Sequence, residues 1–199
     1  MHRRKLAPLA LACVTLFSAC ASTPSPTGFL SDYSQLREAA QSLRYIDAQS
    51  LKNYTRFIVE PVKAYSHAGA KCLDPEMMRK LTIRLHDKLI EGLSKNYQVV
   101  TAPGPGVGRV RAAITDIDAS TPMLNTLPTT KLSGLGLGGA SMEGELLDSR
   151  TGAQIAAVVQ AGKGSRMSFA GMTRDGDARA VIDGWVVRFL QRLDEAHGR

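Results

Sequence analysis

Two segments of the chain carry apolar side chains at the spacing of an amphipathic helix. Across Met77–Leu93 an apolar side chain recurs every four residues, and charged residues lie mostly off that stripe. Asp74 is a favourable N-cap and Pro75 suits the first helical position, so we expect this helix to begin there. A second helix is predicted over Arg174–Glu195. Its apolar face consists of Val181, Ile182, Trp185, Val186, Phe189, Leu190 and Leu193.

Shorter patterns elsewhere are typical of strands. Arg56–Tyr65 is rich in β-branched and aromatic residues, which favours a strand. Pro61 lies within it and has no backbone N–H, so it belongs at an edge or a bulge. Tyr97–Thr101 predicts a short strand, and the loose alternation of apolar and polar residues over Arg109–Ala119 predicts a longer one.

The clearest hairpin follows later in the chain. Ala140–Leu147 alternates, Asp148–Gly152 has the composition of a turn, and Ala153–Gly162 is the partner strand. Consecutive strands without intervening helices favour antiparallel pairing, and two helices with one apolar stripe each favour packing on one face. The predicted fold class is therefore α+β, a two-layer sandwich with a mostly antiparallel sheet and two long helices on one face.

Three segments match no regular element. Gly28–Leu36 has aromatic anchors among turn-forming residues, which predicts an irregular segment packed on the domain, with Arg44–Asp47 as a second docking point. Thr121–Gly139 is a long connection rich in Pro, Thr, Leu and Gly, and such loops within compact domains are often functional. Within it, Leu135 and Leu137 stand among glycines that allow close approach of another backbone, so they form a candidate partner-binding loop. The alternative is a flap whose leucines cover the sheet.

The N-terminus has the pattern of a secretory signal. A basic start, Met1–Lys5, precedes fourteen uncharged residues, Leu6–Ala19. As a helix these would rise only ~21 Å, too short for a hydrocarbon core of ~30 Å. Phe17-Ser-Ala-Cys20 resembles a bacterial lipobox, which implies cleavage between Ala19 and Cys20 and acyl chains on Cys20. The predicted organisation is a signal peptide over residues 1–19, a lipidated tether over 20–27 and a single periplasmic domain over 28–199.

Charge and cysteine content refine this prediction. Removal of residues 1–19 lowers the formal net charge from +7 to +4, and this small excess together with the compartment argues against nucleic acid as a partner. Ala21 follows the lipidated cysteine where an aspartate would favour retention in the inner membrane, so we expect an outer-membrane anchor facing the periplasm. Cys72 then remains as the single free cysteine. Its open alternatives are a small apolar side chain near a helix start, and a reactive thiol or an intermolecular disulfide bridge.

Four segments occur in an order that resembles a known family. Together they resemble the bacterial lipoprotein family classed as domain of unknown function 3313, and the resemblance covers nearly all of the mature chain. It supports the lipoprotein prediction and implies no established activity, substrate or site residue. The segments are Gly28-Phe-Leu-Ser-Asp-Tyr-Ser-Gln-Leu36, Arg44-Tyr-Ile-Asp47, Tyr54 with Phe57-Ile-Val-Glu-Pro-Val62, and Glu143-Gly-Glu-Leu-Leu-Asp-Ser-Arg-Thr-Gly152.

Residues that carry chemistry are few. The sequence has no His-Glu-x-x-His, no Cys-x-x-Cys and no nucleophile-elbow motif, so we expect no metal, no cofactor and no enzymatic activity. Asp116 with Asp118, and Glu143 with Glu145, form same-face carboxylate pairs on predicted strands. Such pairs do acid–base work or bind calcium in some proteins, but the expectation here is a solvated face of a half-covered sheet.

These observations leave three hypotheses. The leading one is a non-enzymatic lipoprotein, held to the membrane by its acyl chains, whose domain binds an envelope protein. The alternative is a small-ligand or lipid carrier in which the Gly/Leu connection acts as a lid, and this predicts a sizeable apolar cavity. A hydrolase ranks last, because it needs Ser, His and a carboxylate to converge in space.

Overall fold

The structure is a computed structural model that describes residues 26–39, 42–65, 74–118, 120, 138–165, 170 and 173–199. Several predictions fall outside these residues: the signal peptide, cleavage between Ala19 and Cys20, lipidation of Cys20, the role of Cys72, and the candidate loop residues Leu135 and Leu137. They stay predictions.

The described residues form a mixed α+β architecture with an eight-stranded sheet and three helices. The strands are β1 (Arg37–Ala39), β2 (Ser42–Ile46), β3 (Arg56–Val59), β4 (Lys63–Ala64), β5 (Gln98–Val99), β6 (Val107–Asp118), β7 (Gly139–Asp148) and β8 (Gln154–Lys163). The helices are α1 (Ala48–Leu51), α2 (Pro75–Leu93) and α3 (Gly176–Ala196). None of the described helices is both long enough and apolar enough to cross a membrane.

The sheet has an antiparallel side and a parallel side. Its order is β1-β2-β8-β7-β6-β3-β5, and β4 also pairs with β6. Neighbours from β1 to β6 are antiparallel, as predicted for the hairpin of β7 and β8. The pairs of β3 with β5, β3 with β6 and β4 with β6 are parallel. The sheet is parallel there because α2 lies in the chain between β3/β4 and β5/β6, and such a crossover connection lets the later strand run in the same direction.

The two long helices form where the apolar periodicity predicts them. Asp74 caps α2 by accepting a hydrogen bond from the Glu76 N–H at 3.0 Å, and Pro75 opens the helix. Every position of the predicted α2 stripe is buried. The buried apolar face of α3 includes Ile182 and Trp185, also as predicted.

Side chains of the sheet enter two hydrophobic clusters. Ile114 and Leu146 pack in one cluster with the α2 stripe and with Ile182 of α3. Ala113, one residue before Ile114 on β6, belongs to a second cluster with Phe29. Since neighbouring residues of a strand point to opposite faces, the clusters lie on opposite sides of the sheet. Both faces of the central strands are therefore covered.

The N-terminal part of the domain is more regular than predicted. Arg44–Asp47 was expected to be a docking point, but most of it belongs to β2, which pairs with β8 from Ser42 to Ile46. Asp47 then caps α1 by accepting hydrogen bonds from the N–H groups of Gln49 and Ser50. Pro61 falls between β3 and β4, so the predicted strand over 56–65 is interrupted there as its missing N–H requires.

Candidate ligand-binding cavity and carboxylate clamp

A cavity of about 780 Å³ lies between the sheet and the helices. Its lining comes from β2, β6, β7 and β8 on one side and from α2 and α3 on the other. Most of the lining is aliphatic or aromatic; the apolar members include Leu85, Leu89, Val158, Val181, Trp185 and Phe189. A cavity of this size and character, partly open to solvent and bordered by the larger hydrophobic cluster, is the main candidate site in the described part of the chain.

The cavity exists because small residues form its floor. Ala112, Gly144 and Ala156 lie on β6, β7 and β8, and all three line the cavity. At Gly162 the helix comes much closer, since a Cβ atom there would lie 2.6 Å from Cγ1 of Val181. Thus α3 rests directly on β8 at Gly162, while the small side chains of the floor leave space unfilled.

Trp185 forms part of the wall and has an unusual polar environment. It is the single tryptophan of the chain, and only 4% of its surface is exposed. Its indole N–H is buried and donates to no acceptor within the described residues. A buried donor without a partner costs roughly 1–3 kcal/mol. The indole N–H therefore lacks a partner among the described residues and is closed to solvent.

Cationic side chains surround one part of the cavity. Arg44 of β2 and Arg188 and Arg192 of α3 line it, and we call these three residues the arginine rim. Arg44 and Arg192 also line an adjoining pocket of about 350 Å³ next to β1. In the described part of the chain no carboxylate forms an ion pair with any of the three. Ion pairs found elsewhere are formed by Arg79, Lys80, Arg84, His86, Lys88, Arg109, Arg111 and Arg179.

On the opposite face, two buried glutamates hold the N-terminal segment. Glu143 is 0% exposed and accepts hydrogen bonds from the Thr27 N–H at 2.5 Å and from the Tyr33 hydroxyl. Burial and this contact raise the pKa of Tyr33. Glu145 accepts from both the N–H and the hydroxyl of Ser31, at 3.0 and 2.7 Å, and pairs with Arg111. We call Glu143 and Glu145 the carboxylate clamp.

The clamp corrects the expectation that these glutamates form a solvated face. The segment Gly28–Leu36 covers them: Phe29 and Leu30 are buried against β6 and β8, and Tyr33 and Leu36 pack beside them. The sequence predicted that this segment packs on the domain, but not that Glu143 and Glu145 accept hydrogen bonds from it. Two of the family-like motifs, Gly28–Leu36 and Glu143–Gly152, thus meet in space and stabilise one another.

A third buried carboxylate holds the two ends of the long connection. Asp177 is 0% exposed and accepts hydrogen bonds from the Ser120 hydroxyl at 2.8 Å and the Gly138 N–H at 2.9 Å. The connection therefore starts and ends beside the first turn of α3. Its leucines at 135 and 137 lie outside the described residues, so their role in partner binding stays a prediction.

The described residues provide little for catalysis or metal binding. They contain no group of three or more His, Cys, Asp or Glu side chains placed to bind a metal ion. The Nδ1 atom of His86 lies 3.4 Å from Asp87, and that of His197 lies 2.7 Å from the Leu193 carbonyl. Neither ring contacts a serine hydroxyl in this part of the chain. The hydrolase hypothesis thus gains no support, and the predicted lack of enzymatic activity stays a prediction.

Several solved structures are similar to part of the chain, and two of them come from Paraburkholderia phytofirmans and Chlamydia trachomatis. The PelC dodecamer from Paraburkholderia phytofirmans is 12% identical, with a TM-score of 0.40, covering 66% of this chain and 86% of that chain. The hypothetical protein CT253 from Chlamydia trachomatis is 12% identical, with a TM-score of 0.44, covering 70% of this chain and 98% of that chain.

Sequence comparison places the chain more firmly. The uncharacterized lipoprotein YdcL of Escherichia coli strain K12 is 26% identical over 198 residues, which cover 84% of this chain and 86% of that protein. The model of the family described as protein of unknown function (DUF3313) matches residues 25–189. The protein therefore belongs to the DUF3313 family, as its motifs predicted, and a lipoprotein of unknown function fits its relatives.

Proposed function

We propose that the protein is a membrane-anchored lipoprotein whose domain holds a small apolar ligand in the cavity between sheet and helices, without chemical conversion of that ligand. The single observation that carries this proposal is the cavity of about 780 Å³. Small-molecule sites are typically concave, mostly apolar and ~300–1,000 Å³ in volume. The alternative hypothesis from the sequence required such a cavity.

The lining explains why a ligand fits better than water. The cavity is partly open to solvent, so a ligand can enter it and remove apolar lining from water. Apolar walls offer water few of the two to four polar partners that it needs.

The proposal includes an arrangement at the membrane. We place α2 and α3 as one layer over the sheet, with the cavity between the layers and Gly28–Leu36 across the opposite face. Acyl chains on Cys20 would anchor the domain in the outer membrane, facing the periplasm. Since the seven residues from Ala21 to Thr27 reach at most ~23 Å, the face that carries the clamp would stay near the bilayer.

Fluorescence of the single tryptophan tests the proposal directly. The full chain, purified from membranes and reconstituted in nanodiscs, is titrated with dibrominated stearic acid and with its methyl ester, because bromine quenches an indole that it contacts. We expect saturable quenching of Trp185 by at least one probe, at about one probe per protein.

Two matched substitutions provide the controls. Val158 lines the cavity, so Val158→Phe fills it and is expected to weaken probe binding about tenfold or more. Val187 lies on α3 and is 52% exposed, so Val187→Phe adds the same atoms outside the cavity and is expected to leave binding unchanged. Quenching that does not saturate, or that is equal in the two variants, would contradict the proposal.

A further inference from the structure

We infer that the ligand is an amphiphile with an anionic head group, held so that its head contacts Arg44 and Arg192 and its chain lies against Trp185. This inference rests on the proposed function and adds the chemical class of the ligand. It is carried by the arginine rim, by the polarity of the cavity lining and by the contrast with the other arginines of the domain.

Arg44 and Arg192 lie where the main cavity meets the adjoining pocket. Arg44 projects from β2 and Arg192 from α3, and both line the main cavity as well as the adjoining pocket of about 350 Å³. Both are half-buried. Glu38, an exposed carboxylate, lines the adjoining pocket too, but it forms no ion pair with any cation of the described residues. An anion at this junction would face two guanidinium groups.

Four of the other half-buried arginines have carboxylate partners, and the fifth, Arg56, donates to the Pro105 carbonyl. Arg84 binds Asp183 through two hydrogen bonds, at 2.9 and 2.5 Å. Arg111 binds Glu145 on the opposite face of the sheet. Arg44 and Arg192 depart from this pattern, because neither binds a carboxylate or a carbonyl of the described residues. Guanidinium groups suit carboxylate and phosphate oxygens through paired N–H donors, so a ligand anion is the natural missing partner.

The remaining polar groups point to the same ligand chemistry. Lys163 and Arg188 add positive charge to the lining. Glu145 is the single acidic residue of the lining, and Arg111 neutralises it on the other face. The lining thus offers donors and positive charge without a free carboxylate. A neutral hydrocarbon would leave these groups unused.

Both fatty acids and phosphate-bearing single-chain lipids have this chemistry. They share a compact anionic head with ionised oxygens and one flexible chain. A chain that extends from the junction into the cavity would pass the apolar side chains of Val158 and Phe189 and reach Trp185. The structure therefore assigns the head to the junction and leaves carboxylate or phosphate for the experiment to distinguish.

The test compares head groups on one chain, again by quenching of Trp185 in the full-length protein in nanodiscs. The probes are dibrominated stearic acid, its uncharged methyl ester and a dibrominated lysophosphatidate. We expect one of the anions or both to bind at least about tenfold more tightly than the ester. The anion that binds more tightly identifies the head group.

Substitution of Arg44 and Arg192 distinguishes the effect of their charge from that of the apolar cavity. In Arg44→Gln/Arg192→Gln the preference for the anion over the ester is expected to fall to about twofold or less. The matched control is Lys95→Gln/Arg150→Gln, which removes two positive charges at exposed positions and is expected to keep the preference.

The outcomes distinguish this inference from the proposed function. Equal binding of the anions and the ester to the wild-type protein would overturn the anionic head group and leave the apolar cavity as a ligand site. A preference that survives Arg44→Gln/Arg192→Gln would overturn the assignment of the head to the junction. Saturable binding of no probe at all would overturn the proposed function itself.

Discussion

At the scale of single residues, the buried carboxylates decide how the chain is held together. Glu143 and Asp177 are both 0% exposed, yet each accepts hydrogen bonds from a backbone N–H and a side-chain hydroxyl far away in the sequence. A buried carboxylate is tolerated only when donors compensate for its lost hydration. These two residues therefore join distant segments, and their removal would leave the buried donors without an acceptor.

Glu143→Gln tests the contribution of the clamp. An amide replaces one acceptor oxygen with an NH₂ group, which opposes the Thr27 N–H or conflicts with the Tyr33 hydroxyl. We expect the free energy of unfolding to fall by about 1–3 kcal/mol, measured by urea titration of the full chain with Trp185 fluorescence.

The matched control for the clamp is Glu38→Gln. Glu38 is exposed on β1, so the same chemical change there is expected to alter stability by less than about 0.5 kcal/mol. Equal effects of the two substitutions would show that the clamp contributes nothing beyond an ordinary surface carboxylate.

At the scale of elements, the distance between α3 and the sheet varies along the helix. The helix touches β8 at Gly162, where the absence of a side chain permits contact with Val181. Farther along, the floor of small residues leaves the cavity. Gly162 therefore sets how closely α3 approaches the sheet beside the candidate site.

Gly162→Ala tests this seating. Its Cβ would lie 2.6 Å from Cγ1 and 3.6 Å from Cβ of Val181, and a β-branched side chain has few rotamers with which to move away. We expect α3 to shift, with a loss of stability of about 1–3 kcal/mol, measured by denaturation, and a change in the Trp185 emission spectrum.

Gly104→Ala is the control for this substitution. There the nearest atom to a new Cβ is Cγ2 of Val107 at 3.7 Å, an ordinary contact. We expect stability within about 0.5 kcal/mol of wild type. An unchanged emission spectrum in Gly162→Ala would show that α3 tolerates a side chain at the contact.

At the scale of the whole molecule, a ligand in the cavity would complete a core that spans every layer of the domain. The lining joins four strands with α2 and α3, so the site forms only in the folded state. Whatever binds there stabilises the fold by mass action, because the unfolded chain lacks the site.

Ligand-linked stability is the prediction at this scale. With free dibrominated stearic acid at about 100 times its dissociation constant, we expect the free energy of unfolding to rise by about 2.7 kcal/mol. The measurement is urea denaturation of the full chain with and without the probe. In Val158→Phe, with binding about tenfold weaker or more, the increase is expected to fall to about 1.4 kcal/mol or less at the same concentration, whereas an undiminished increase would place binding outside the cavity.

The elements predicted correctly from the sequence are those that depend on interactions between neighbouring residues. The α2 stripe, its N-cap Asp74 and the β7–β8 hairpin were predicted from sequence because periodicity, capping and turn chemistry act over a few neighbouring residues. The short strand β2 was missed, since its pairing with β8 joins residues more than one hundred positions apart. The packing of Phe29 and Leu30 was predicted because large apolar side chains bury wherever a face is available.

The sequence by itself determined the family, the α+β class and the two amphipathic helices, since these depend on local patterns and on motifs. Only the tertiary structure decided that Glu143 and Glu145 are buried, because an alternating strand looks the same whether solvent or another segment covers it. The cavity was equally out of reach. Its floor of Ala112, Gly144 and Ala156 comes from three strands, and empty space arises from the distance between elements, which no stretch of sequence records.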